Sequence, residues 1–181
     1  VHPRLLCVRH PFDTLKNRLA TEPWTGWFED LKRGGESLLT LALPDRLMGI
    51  PYSKFDVRGL GGHLITLSLL YRMTGEERYR ARVRDLMGRL AREEDWGESL
   101  IFGHWAQGFA IALDWLWQDW DDDFRRRQVD ILYRRARHVF DRWATYRSGE
   151  PFGYTWNISA VVLGGITAAA SCLYGEHPEV A

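Results

Sequence analysis

The sequence predicts an all-α chain of antiparallel helical hairpins forming part of an incomplete (α/α) toroid. Two stretches, 100–117 and 156–174, are almost wholly apolar or small, and a helix that is apolar all round is buried all round. Arg-rich amphipathic stretches, 76–92 and 121–146, alternate with the inner segments and read as an exposed outer layer. Acidic turns near Glu76, Asp121 and Glu176 recur at the spacing of helical-pair repeats. Inner helix followed by outer helix, repeated, gives an open solenoid or a closed toroid. The near absence of charge on the inner helices fits a ring interior better than an open groove.

Taken in order, residues 1–23 are an extended lead-in broken by Pro3, Pro11 and Pro23, with a short helix over 12–20. A helix then opens at Pro23-Trp24 and runs to about residue 43, with Trp24, Trp27, Phe28 and Leu31 on one face. Residues 44–57 form a loop by their Pro, Gly and Asp content. In the helix expected over 58–74, Leu60, Leu64, Leu67 and Tyr71 share a face, and Gly75 stops it. The outer helix 76–92 turns Tyr79, Val83, Leu86, Met87 and Leu90 inward. After a loop over 93–99 comes the buried helix 100–117, then an outer helix from Asp121-Asp122-Asp123 to about residue 146. Its apolar side is Phe124, Ile131, Leu132, Val139 and Trp143. A loop over 147–154 leads to the inner helix 156–174, expected to lie ringed by neighbours in a closed toroid and, where helices to close it are missing, to expose one apolar side; residues 175–179 stop it.

The 181 residues read as one domain over 1–181. Lys+Arg and Asp+Glu both number 24, so there is no global charge to draw the chain to nucleic acid or an anionic membrane. Nine Trp suit either a sugar-stacking cleft or a large helical core. Cys7 and Cys172 allow one disulfide without deciding the redox compartment. Metal-ligand spacings, dinucleotide and phosphate loops and the serine-hydrolase elbow are absent, so neither a metal nor a cofactor is expected. The apolar run at 158–174 is short for a membrane span and reads as a buried helix. The opening at Val1, with no Met and no signal peptide, reads as the start of a mature or excised piece.

The candidate site sits where the last inner helix opens, at Tyr154-Thr155-Trp156-Asn157. An amide, an indole and a phenol lie together at a helix start, whose free backbone N–H groups favour an anion. Asn157 is read either as a ligand-binding amide or as a helix N-cap, and Trp156 and Tyr154 either as sugar contacts or as core. By the repeat, His104-Trp105 opens its own inner helix toward the same mouth; a hydrogen-bonded core histidine is the alternative for His104, and His63 is a weaker parallel. Tyr52 and Lys54 lie in a loop that could reach the cleft. A glycoside hydrolase would need two carboxylates there, and Asp114 and Glu98 are the local candidates.

Several motifs in order resemble a known family. They are His2-Pro3-Arg4-Leu5-Leu6, Pro23-Trp24, Tyr71-x-x-Thr74-Gly75-Glu76-Glu77-Arg78-Tyr79, and Ala112-x-Asp114-Trp115-Leu116. Trp156-Asn157 follows, with Gly164-Gly165 and Glu176-x-Pro178-Glu179 after it. Together they resemble the heparinase II/III-like polysaccharide lyases and the related alginate lyases and uronyl epimerases, with Cys7 where Phe is usual. The resemblance implies a toroid followed by β-sandwich domains, a secreted or periplasmic bacterial location, and β-elimination of acidic polysaccharides such as heparan, chondroitin or alginate. It implies that Asn157 neutralises the uronate carboxylate, although Ile158 stands where the family often has a polar residue; His104 is added as a second catalytic candidate by the repeat alone. It also implies that the usual Tyr and His bases, the remaining toroid helices and the β-domains lie downstream of residue 181. A toroid glycoside hydrolase, a uronyl epimerase and a non-catalytic carbohydrate-binding module are the alternatives.

Overall fold

The computed structural model describes residues 1–6, 12–146 and 157–180. Among them are seven α-helices, a 3-10 turn at Trp117–Asp119, and no strand. The helices are α1 (Phe12–Arg18), α2 (Trp24–Leu39), α3 (Gly59–Thr74), α4 (Glu77–Arg92), α5 (Leu100–Trp115), α6 (Asp122–Tyr146) and α7 (Asn157–Leu173).

Three helices, α3, α5 and α7, run side by side in one direction. Gly61 of α3 lies so close to the His104 carbonyl and to Gly108 that a methyl group at either glycine would collide with backbone. Gly103 meets the backbone of Val161, 2.6 Å from where its Cβ would be, and Gly165 meets the Gly103 carbonyl at 2.8 Å. Both seams therefore close near the helix N-termini. At the other end Asp119, just past α5, accepts from the Tyr71 hydroxyl of α3 at 2.9 Å. The outer helices return antiparallel: α4 after the left-handed Gly75 (φ 73°), and α6 until Trp143 donates to the Glu98 carbonyl at 3.4 Å, next to the start of α5.

The outer faces follow the sequence pattern. Tyr79, Val83, Leu86, Met87 and Leu90 are buried on α4; Phe124, Leu132 and Val139 are buried on α6. Arg126, Arg134 and Arg137 stay exposed and pair one turn away with Asp123, Asp130 and Asp141.

Three weak motifs that are far apart in sequence meet in one cluster. The buried Asp114 carboxylate accepts the Arg4 and Leu5 backbone N–H groups at 2.9 Å and bonds His2 Nδ1. The His2 ring stacks on Trp117 at 3.9 Å, and its Nε2 lies 3.2 Å from Glu176. Arg4 reaches Glu176 at 2.7 Å and bonds the Tyr174 carbonyl. Residues 2–5 thus tie the C-terminal ends of α5 and α7 together.

Two expectations are corrected. The second helix ends at Leu39 rather than near residue 43. Arg82 takes the Leu38 and Leu41 carbonyls and Arg89 the Pro44 carbonyl, and the residue before Pro44 is biased away from helix. Nor is α7 ringed by neighbours: six of its seventeen residues are buried, against twelve of sixteen in α5. Helix α5 is flanked by α3, α6 and α7 and touched by α4, whereas among the described residues α7 packs mainly on α5 and α6 and leaves Ala160, Leu163, Thr167, Ala170 and Ser171 exposed. Within α2 only Gly35 is buried, and Trp27 is 60% exposed.

Candidate functional site

Because the inner helices are parallel, their N-terminal ends share one side of the layer. His104 lies in the second turn of α5 and Asn157 at the first residue of α7. The Gly103–Val161 and Gly165–Gly103 contacts place these two helix starts against each other, so both residues are at the same end. His104 is partly exposed and Asn157 is exposed.

The loop before α3 is brought to that end as well. The Trp105 indole N–H donates to the Val57 carbonyl at 2.7 Å. Arg58 grips Asp56 through Nε at 2.8 Å and Nη2 at 2.9 Å, and its guanidinium lies 4.3 Å from the Tyr52 ring. That hydrogen bond holds the Asp56 carboxyl below its ordinary value, and the nearby His104 adds to the effect. Tyr52 and Lys54 are exposed on this loop, though among the described contacts neither touches His104 or Asn157.

Trp105 requires a correction. It is fully buried and packs edge-on against Trp96 at 5.9 Å, so it anchors the loop instead of offering a face to a ligand. The burial follows from phase: one position beyond His104, its side chain swings about 100° around the helix, away from the open side. Tyr154 and Trp156 lie outside the described residues, as does the loop over 147–154; Cys7 does too, while Cys172 is buried and free, its thiol pushed up by burial.

The two hydrolase candidates are engaged elsewhere. Asp114 is wholly buried at the opposite end of α5 and saturated by residues 2–5. Glu98 faces Arg142 at 3.3 Å and His138 at 3.5 Å. They do not form a pair flanking a common space, as hydrolysis by two carboxylates demands.

One polar residue at the mouth was passed over by sequence reasoning, and a second that it ranked low, His63, lies on α3 under the influence of Arg82 of α4. Gln107, one turn beyond His104, is the one exposed residue of α5. The signal was a lone amide inside an apolar helix, in phase with His104. His63 of α3 has a buried Nδ1 with no hydrogen-bond partner among the described residues. Burial, followed by the Arg82 charge, holds its pKa below 6.5 and keeps the ring neutral near pH 7.

A separate cleft of about 220 Å³ opens beside loop 93–99, lined by Glu94, Asp95, Trp96, Phe102, Arg135 and His138. None of His104, Gln107 or Asn157 lines it. Among the described residues no group of His, Cys, Asp and Glu side chains could hold a metal ion, and no helix is long and apolar enough to cross a membrane. No protein-family model matches the chain, and no curated protein matches it.

Proposed function

We propose that this chain forms the substrate-binding side of a polysaccharide lyase toroid acting on uronate-containing polymers. The observation that supports the reading is that His104 and Asn157, on two adjacent inner helices, lie toward the same end of a parallel layer. In β-elimination the C5 proton of a uronate is hard to remove because the carboxylate already bears charge. Hydrogen-bond donors on that carboxylate stabilise the enolate that forms. The Asn157 amide and the His104 imidazole are donors of that kind, and the first-turn N–H groups of α7 add partial positive charge beside them. The proton must still go to a base, and the leaving oxygen must gain one. We assign those steps to groups supplied by further helical pairs that complete the ring against the open face of α7.

The hydrolase reading loses support because Asp114 and Glu98 are engaged away from the mouth. Elimination leaves an unsaturated uronate that absorbs in the ultraviolet, and hydrolysis does not. The test is product absorbance with heparan, chondroitin and alginate in the full-length protein, wild type against Asn157→Ala. We expect absorbing product from one of these polymers and a kcat about 10²–10³-fold lower in the variant, the usual cost of one oxyanion donor. Product without ultraviolet absorbance, or an unchanged kcat, would overturn the proposal.

A further inference from the structure

Helix α5 is enclosed on nearly every side, and the exception is narrow. Its residues outside the core are Leu100, Ile101, His104 and Gln107, of which Gln107 alone is exposed. Leu100, His104 and Gln107 fall at i, i+4 and i+7, a single stripe along the helix. Further along the same stripe, Ile111 and Asp114 are buried, Asp114 beneath residues 2–5. The stripe is therefore open only in its first two turns, where His104 and Gln107 lie, while its third polar residue, Asp114, is covered.

The neighbouring helices present glycine at the same level. Gly61 meets α5 at His104 and Gly108, which sets Gly62 beside that stretch; Gly165 meets Gly103 and Ala106, which does the same for Gly164. Gly61, Gly103, Gly108 and Gly165 have no room for a side chain. Gly62 and Gly164 are different: a Cβ at either would meet nothing within 4 Å among the described residues. Glycine inside a helix is destabilising relative to alanine, and packing does not require it at these two positions. Among the described residues the space beside each is open, one on each of the two inner helices that flank α5, at the level of Gln107.

We propose that Gln107 is a saccharide-contacting residue, and that Gly62 and Gly164 keep open the bay in which one sugar ring of an acidic oligosaccharide sits above it. The amide both donates and accepts, as vicinal hydroxyls require, and it adds no charge beside a carboxylate bound at His104 and Asn157. This rests on the uronate reading above and extends it to a subsite and its shape.

The test is calorimetric titration of the chain with two tetrasaccharides of equal length, one of uronates and one neutral, against wild type, Gln107→Ala, Gly62→Val and Gly164→Val. Thermal melting of each variant reports folding. We expect the uronate tetrasaccharide to bind wild type, Gln107→Ala to weaken it about tenfold, the loss of one or two good hydrogen bonds, and each valine to abolish binding without lowering the melting temperature by more than a few degrees. Unchanged uronate binding in Gln107→Ala and in both valine variants would overturn the bay while leaving the uronate reading intact. Preference for the neutral ligand with sensitivity to all three substitutions would retain the bay and sink the uronate reading. No binding of either ligand to wild type would sink both.

Discussion

At the residue scale, the hydrogen bonds around Asp114 have the largest consequences for stability. One carboxylate, fully buried, receives two backbone N–H groups and the His2 ring. Asp114→Ala leaves those donors buried without a partner, which costs about 3–5 kcal/mol. Chemical denaturation should show the midpoint falling by that amount, and Asp114→Asn, which keeps acceptor capacity, should lose less. Losses below about 1 kcal/mol in the alanine variant would mean that residues 2–5 are not held there. His63 carries a pH dependence of its own. Its pKa in the folded chain lies below 6.5, so the unfolded chain takes up this proton first as the solution is acidified. Its contribution is complete above about pH 6.5 and declines as the pH falls toward the folded value. His63→Gln should therefore flatten the melting temperature over about pH 5–7; a slope as steep as wild type would contradict the assignment. Asp56, also depressed, acts in a lower window, below the ordinary carboxylate range, and does not confuse the two.

At the element scale, the glycines divide into two groups with opposite expected effects. Gly61, Gly103 and Gly108 sit where inner helices touch backbone to backbone. Alanine at any of them forces the seam apart, at about 1–3 kcal/mol or more. Gly88 on the outer helix α4 has nothing within 4 Å of a Cβ, so Gly88→Ala should stabilise by about 0.5–1 kcal/mol. Melting curves of this set give the sign directly, and a stabilising Gly108→Ala would mean the seam is looser than the structure shows. Helix identities and most boundaries were legible from pattern: α3, α4, α5 and α6 begin and end within two residues of where periodicity, Gly75 and the acidic turns place them. The end of α2 was not, because arginines of α4 capture the carbonyls that would have continued it. The cluster of His2, Asp114 and Glu176 was visible only as three separate motifs, since nothing local to any of them says that they meet. Gln107 was overlooked because one amide does little to the apolar average of its helix, and Trp105 was misplaced because adjacent helical residues face different directions.

At the scale of the whole molecule, the inner helices repeat in register. Gly108 and Gly165 receive the preceding helix at equivalent positions. The α5 residues in phase toward α7, namely Gly103, Ala106, Ala110 and Leu113, correspond at one constant offset to Ala160, Leu163, Thr167 and Ala170, and these four are exposed. The open face of α7 thus has the small, uncharged character of a seam. We expect the chain to associate weakly in a concentration-dependent way through this face. Leu163→Glu should abolish that association in sedimentation velocity without unfolding the chain; association unaffected by the charge would locate the sticky surface elsewhere, with Trp27 of α2 next to test.

The central claim is that His104, Gln107 and Asn157 form one uronate-binding mouth at the N-terminal ends of the inner helices. Its most direct test is an amide-resolved NMR titration of the 15N-labelled chain with a uronate tetrasaccharide. The account predicts shifts concentrated at Gly62, His104, Gln107 and Asn157, with Asp119 and Tyr174 at the opposite end unmoved. Shifts confined to that opposite end, or to the cleft beside Arg135 and His138, would contradict it.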